Sequence, residues 1–152
     1  MEQQFCSRFA SWFAAETGHS VSVAEEGIIP QEKQIYVARG DKNLMIGPRL
    51  SFQYVIDDSI SWCPSVDVFF QSLAKNWPNT GCAAVLTGMG QDGAVGLGSF
   101  RKKGWKTFAQ DQASSTIYGM PKIAYERGAA ENSLSALDIA SSINQWLHSQ
   151  YS

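Results

Sequence analysis

The sequence predicts a single α/β domain over residues 1–152, with a mainly parallel sheet in its second half. Three observations predict it. Strand-like and helix-like segments alternate from residue 82 onward, the rhythm of βαβ units. A length of 152 residues with 44% apolar content suffices for a real core, and 17% charged residues are too few for a disordered chain. A glycine-rich stretch at 87–93 follows a short apolar run, where a strand of such a sheet would end.

The elements follow in order. Phe5, Phe9, Trp12 and Phe13 recur at i, i+4, i+7 and i+8, one apolar stripe on a first helix that Gly18 ends. Short strand-like runs at 21–24, 34–38, 44–46 and 50–56 are separated by Glu26-Gly27, Gly40-Asp41 and Gly47-Pro48, and read as antiparallel hairpins. A second helix begins at Pro64-Ser65, with Ser65 as its N-cap or first-turn residue. Its buried face is expected to be Val66, Phe69, Phe70, Leu73 and Trp77, and Pro78-Asn79-Thr80-Gly81 stops it. A buried strand at 82–86 leads into the glycine-rich loop. A helix then runs to Lys103, with Gly104 at its end, and a strand covers 105–109. Pro121 opens a short helix that Gly128 closes, and a short strand lies near 130–133. Ser135-Ala136-Leu137-Asp138 resembles a capping box and starts the last helix, whose face is Ile139, Ile143, Trp146 and Leu147.

Composition excludes several function classes. The net charge is −2 and the densest basic spot is Arg101-Lys102-Lys103, so nucleic acid is not an expected partner. The longest apolar stretch, 82–86, is too short to enter a bilayer as a span, and Glu2, Arg8 and Glu16 break up the aromatic N-terminal stretch, so no signal peptide is expected. Cys6, Cys63 and Cys82 are odd in number and far apart. They read as free thiols in a reducing compartment, hence a cytoplasmic location. No cofactor is expected.

The loop Thr87-Gly88-Met89-Gly90-Gln91-Asp92-Gly93 carries the strongest chemical signal. Its glycines let the backbone take positive φ and approach a ligand closely. Asp92 falls where the next helix begins, and helix N–H groups there stabilise its charge. An ionised carboxylate at a strand end can orient a histidine. It can equally well be an ordinary helix cap. The spacing of Gly88, Gly90 and Gly93 also matches the dinucleotide fingerprint, with Asp111 near the position of a ribose-binding acid. That reading ranks lower, because Asp92 would set a like charge against a pyrophosphate.

These residues resemble a known family. The run 86–94, Leu-Thr-Gly-Met-Gly-Gln-Asp-Gly-Ala, is similar to the signature of the chemotaxis protein-glutamate methylesterase catalytic domain. Three other segments agree in order. Tyr36-Val37-Ala38-Arg39-Gly40-Asp41-Lys42 resembles the family's hairpin, and Pro64-Ser65-Val66-Asp67-Val68-Phe69-Phe70 its helix start. Ala109-Gln110-Asp111-Gln112-Ala113-Ser114-Ser115 leads after three residues into Gly119-Met120-Pro121, as in the family. The resemblance covers nearly the whole chain. It implies a doubly wound, mainly parallel sheet with helices on both faces and an antiparallel hairpin. It implies hydrolysis of glutamate methyl esters, and deamidation of glutamines, on the cytoplasmic region of methylated chemoreceptors by a Ser-His-Asp triad. Asp92 matches the acid. Gly88, Met89, Gly90, Ser114, Met120, Pro121 and Asn43 are expected around the substrate cleft.

The chain also departs from that pattern. The family's nucleophilic Ser and its His, in a Gln-His-Met stretch, lie upstream of anything matched here. Met1-Glu2-Gln3-Gln4-Phe5 aligns with the stretch beginning at that methionine. The chain is therefore expected to be an N-terminally truncated domain, without the family's receiver domain and inactive alone. A non-catalytic remnant or receptor-binding module is the alternative. Arg39 stands where the family usually has Pro, Asn43 where it often has His, and Trp62-Cys63 where it has His-Arg. His19 and His148 are not expected to replace the missing base. Ser114 and Ser115 are expected to bond the backbone of their own turn. Upstream strands belong to the family's sheet, so self-association through an exposed sheet edge is expected.

Overall fold

Two units, Met1–Trp77 and Pro78–Ser152, each carry a core. The computed structural model describes residues 3–60 and 62–151. Met1 and Glu2, the start of the aligned N-terminal stretch, lie outside the described residues.

The first unit opens with helix α1, Gln3–Thr17. The aromatic stripe is present, but it is not the face that packs. Cys6 and Ala10 are buried, while Phe5, Phe9 and Trp12 are exposed, with Phe9 stacked on Phe5 and Phe13. The small side chains lie on the face turned into the unit, and the rings stack on one another along the outer face.

Strands β1, Ser20–Val23, and β2, Gln34–Val37, pair in parallel. The expected hairpin between them is therefore corrected. Glu26-Gly27 does not turn the chain straight back. It leads into a crossover, in which Gly27 N–H donates to Phe52 O and Phe52 N–H donates to Ile28 O. A parallel pair requires such a crossing connection. Strands β3, Asn43–Ile46, and β4, Phe52–Val55, do form an antiparallel pair, Asn43 opposite Val55 and Ile46 opposite Phe52. Ala24, Leu44, Ile46 and Phe52 make the buried cluster of this unit, with Phe69 and Leu73 packed against it.

Helix α2, Val66–Asn76, is capped by Ser65, whose Oγ accepts from Val68 N–H at 3.3 Å. Its large apolar residues are half-buried, and its buried positions are the small Ser72 and Ala74. The reason is a backbone need. Ser72 Oγ accepts from Ile46 N–H at 2.9 Å, and Asn76 Nδ2 donates to Ile46 O at 2.8 Å. The helix thus satisfies both polar groups of Ile46, which close packing would otherwise strand. Ser65→Ala is expected to destabilise the protein by about 1 kcal/mol through loss of the cap, measured by urea unfolding.

The second unit keeps the βαβ rhythm. Strand β5, Cys82–Val85, leads to helix α3, Ala94–Lys102; strand β6, Lys106–Gln110, to helix α4, Met120–Glu126; strand β7, Asn132–Leu134, to helix α5, Ala136–Tyr151. The three strands form one parallel sheet in the order β5-β6-β7. Both crossovers step the same way across the sheet, which puts α3 and α4 together on one face. There they touch, over β5 and β6, while α5 packs on β6 and β7. Phe100 and Leu97 are fully buried, and the Phe100 ring stacks on Trp105 with centroids 4.1 Å apart. Ser135 Oγ accepts from Asp138 N–H at 3.1 Å, the expected cap of α5. Along that helix only Ile139 is fully buried; Ile143 and Trp146 are half-buried and Leu147 is exposed. The architecture is a mixed α/β fold with parallel strands, flanking helices and one antiparallel pair.

Candidate active site

The loop 87–93 leaves the carboxyl end of β5, where ligands bind in parallel α/β sheets. A second segment, 117–120, holds it in place. Gly88 N–H donates to Ile117 O at 3.0 Å, and Gly88 O accepts from Gly119 N–H and Met120 N–H at 3.2 and 2.8 Å. Gly88 and Tyr118 form a parallel bridge. Thr87 Oγ1 donates to Ile117 O and accepts from Ile117 N–H. The loop is thus tied by backbone bonds on both sides of Gly88.

Two glycines are needed for different reasons. Gly90 has φ +96°, a left-handed conformation that side chains rarely adopt. Gly119 has an ordinary negative φ, but a Cβ there would meet Gly88 O at 2.7 Å and Gly90 N at 3.1 Å. Gly119 therefore sets how close α4 begins to the loop. Pro121, fully buried, starts that helix, with Met120 half-buried beside Gly88.

Asp92 is 9% exposed. Gly93, not Asp92, occupies the cap position of α3, at φ +97°. Asp92 precedes the cap, close to the positive end of the helix, where a carboxylate is stabilised. The loop and its bracing segment also present exposed apolar side chains: Met89 is 79% exposed, and Leu86 and Ile117 are exposed as well. Gln91 reaches away from the loop, accepting from Arg127 Nη2 at 3.1 Å.

Behind the loop lies a polar relay that inspection of the sequence missed. Gln110, buried at the end of β6, accepts from Thr87 N–H at 2.7 Å and donates through Nε2 to Ser114 O at 2.9 Å. The available hints were a glutamine at the end of a strand and its place in the family-like run 109–115. Ser114 N–H and Oγ both donate to Asp111 Oδ1, and Ser115 Oγ donates to Asp111 O. Ser115 thus bonds the backbone of its own turn, as expected, whereas the Ser114 hydroxyl bonds the Asp111 carboxylate and the Gln110 amide instead. The Ser114 hydroxyl, and then its N–H, hold the Asp111 carboxyl below the usual carboxylate range. A depressed folded-state pKa contributes stability above the ordinary value and loses it as pH falls through the lowered one. An NMR titration is expected to place the Asp111 midpoint below the ordinary Asp value, and Ser114→Ala to raise it part of the way back.

This bonding also bears on the dinucleotide reading. Thr87 N–H and Gly88 N–H are already taken by Gln110 and Ile117, and Asp111 Oδ1 is taken by Ser114. A pyrophosphate cradle needs free backbone donors at that turn.

The remaining residues singled out in the sequence have their own local surroundings. Asn43 is in the first unit, 1% exposed, its Oδ1 accepting from Ser65 N–H at 2.8 Å. It anchors the start of α2. Arg39 pairs with Asp41 at 2.7 Å and lies over the Tyr54 ring. Trp62 and Cys63 are exposed. His19 is exposed, its N–H on Thr17 Oγ1, and His148 is exposed in the last turn of α5. The three cysteines are free thiols. Among the described residues no cluster of His, Cys, Asp or Glu could hold a metal ion.

Comparison with known proteins fits this site. Residues 1–143 match the family model described as CheB methylesterase. A protein-glutamate methylesterase/protein-glutamine glutaminase of Burkholderia orbicola is 42% identical over 131 residues, which is 86% of this chain and 39% of that protein. One from Bordetella avium is 38% identical over 141 residues, 92% of this chain and 41% of that protein. The chain thus spans about two fifths of the length of these relatives. The crystal structure of the Thermotoga maritima CheB methylesterase catalytic domain superposes with a TM-score of 0.89 at 27% identity, over 96% of this chain and 79% of that one. With the family pattern spanning both units and the fold shared with a solved catalytic domain, the chain belongs to the CheB methylesterase family.

Proposed function

We propose that this chain is the acid-bearing part of a protein-glutamate methylesterase, both units serving one catalytic domain, with Asp92 as the carboxylate of its Ser-His-Asp triad. The observation that carries this is the placement of Asp92: buried, at the carboxyl end of β5, in a loop pinned through Gly88 to the start of α4. The substrate is a glutamate methyl ester on the cytoplasmic region of a chemoreceptor. A glutamine side-chain amide presents the same acyl carbon with ammonia in place of methanol as the leaving group.

The chemistry needs, besides Asp92, a serine and a histidine. The serine oxygen adds to the ester carbonyl while the histidine takes its proton. That proton then leaves with methanol, and water hydrolyses the acyl-serine to free glutamate. Asp92 accepts a hydrogen bond from the other ring nitrogen, fixing the tautomer and stabilising the imidazolium. Met89, Gly90 and Met120 shape the cleft around the ester, with Gly88, Pro121 and Ser114 holding it from behind. The 152-residue chain alone is inactive in this reading.

Two further features support the assignment. Among the described residues of the second unit β5 is paired only by β6, an open edge on which further strands, or another copy of the chain, can add. No described helix is long and apolar enough to cross a membrane, which fits a cytoplasmic enzyme acting on the inner part of a receptor.

The test is methanol release from methylated receptor. It compares the chain alone with a protein joining it to the Ser- and His-bearing segment of a relative. Activity only in the joined protein supports the reading. Activity in the chain alone that survives Asp92→Ala sinks it. A joined protein that binds receptor and never hydrolyses it favours the receptor-binding remnant instead.

A further inference from the structure

Arg101, Lys102 and Arg127 converge on one open groove of the second unit, between α3 and the end of α4, with a volume of about 570 Å³. Ala94, Gly98 and Ala129 are small residues of its lining, and the half-exposed Val95 adds an apolar contact. Arg101 and Lys102 sit in the last turn of α3 and Arg127 caps the end of α4, where cations complement the helix dipole. The dipole accounts for their positions but not for what their charges face. Among the described residues the ion pairs are Arg39–Asp41 and Lys106–Glu131, and neither involves these three.

Both guanidinium groups are nevertheless held in place. Arg101 Nη1 donates to Gly128 O at 2.6 Å, and Arg127 Nη2 donates to Gln91 Oε1 at 3.1 Å. One such bond orders an arginine and leaves most of its donors for a ligand. Gln91 precedes Asp92 in the chain, so Arg127 ties one end of the groove to the loop that carries Asp92.

We propose that this groove docks an acidic, glutamate-rich peptide segment of a partner protein. Glutamate fits its two layers: the carboxylates meet the cationic rim, and the methylene stems lie on the small, apolar lining. Nucleic acid fits less well. The chain is net negative, and no aromatic side chain lines the groove to stack a base. That the segment flanks the methyl-esterified glutamate rests on the methylesterase reading. The docking itself does not, because peptide binding is measured without hydrolysis, so each can fail while the other stands.

The test uses the full 152-residue chain and a fluorescently labelled helical peptide of glutamate and alanine, read by anisotropy at low salt. Saturable binding is expected. Arg101→Ala, Lys102→Ala and Arg127→Ala are each expected to weaken it roughly two- to fivefold, as for exposed ion pairs, and added salt to weaken it further. Reversing all three to Glu is expected to abolish it. Reversing Arg8, Lys33 and Arg49 of the first unit, an equal change in net charge, is expected to leave it intact. If the triple groove variant does not fold, the three single variants decide. The proposal is overturned by no binding at low salt, by single variants that bind like the unaltered chain, or by equal loss in the two triple reversals. An oligonucleotide of equal charge binding as tightly as the peptide overturns it too.

Discussion

Asp92→Asn, in a protein joining this domain to a Ser- and His-bearing segment, is expected to lower methyl ester hydrolysis about 10⁴-fold with the fold intact. That loss corresponds to about 5.4 kcal/mol of transition-state stabilisation. Asparagine keeps the shape of the side chain, so the buried position stays filled. It removes the negative charge and replaces one acceptor oxygen with a donor. A histidine facing it is then held in the wrong tautomer, and the imidazolium formed during acyl transfer loses its counter-charge. The loss should appear in kcat, with KM for methylated receptor nearly unchanged, because Asp92 acts through the histidine rather than on the substrate. Methanol release under saturating receptor is the measurement. If Asp92 were only a structural residue at the helix entrance, the isosteric change would leave kcat within a few-fold. Circular dichroism of the variant separates that outcome from unfolding.

The second half of the chain was legible because its signals are local. The apolar run before Thr87, the glycines at 88, 90 and 93, and Pro121 near the start of a helix each mark an element through their own backbone preferences. Ser65 was legible for the same reason, since a cap bonds within its own turn. The parallel pairing of β1 with β2 was not. It depends on the bonds of Gly27 and Ile28 to Phe52, a partner far along the chain, and a turn-forming dipeptide looks the same in a hairpin and in a crossover. The apolar face of α2 was legible from its periodicity, with Phe69 and Leu73 on the core cluster, but the anchoring of Ser72 and Asn76 to Ile46 was not, because it joins residues 26 and 30 positions apart. In the candidate site, Asp92 and its loop stood out by type and spacing. The relay through Gln110 did not, since it joins residues 23 positions apart. Gly119 was visible only as part of a familiar motif, because a close approach between two segments leaves no trace in either one.

Gly119→Ala tests that close approach. The added methyl would lie 2.7 Å from Gly88 O, 3.1 Å from Gly90 N and 3.3 Å from Met89 Cα. All three are backbone atoms that cannot rotate aside, so the loop or the start of α4 must move. The φ of Gly119 is −105°, which alanine tolerates, so the cost is steric rather than conformational. Overpacking of this kind costs about 1–3 kcal/mol. Gly88→Ala is the matched control: its methyl would meet Met120 Sδ at 2.8 Å, the movable end of a flexible side chain. Urea unfolding is therefore expected to rank Gly119→Ala well below Gly88→Ala in stability. Amide resonances of residues 88–90 should shift more in Gly119→Ala, because the bonds from Gly119 N–H and Met120 N–H to Gly88 O stretch as the segments part. In the joined enzyme the same displacement is expected to move Asp92 off its histidine and reduce kcat, since misplacement by about 1 Å can cost on the order of 10²-fold. Equal stability of the two alanine variants, with unshifted loop amides, would show that Gly119 does not set the position of the loop.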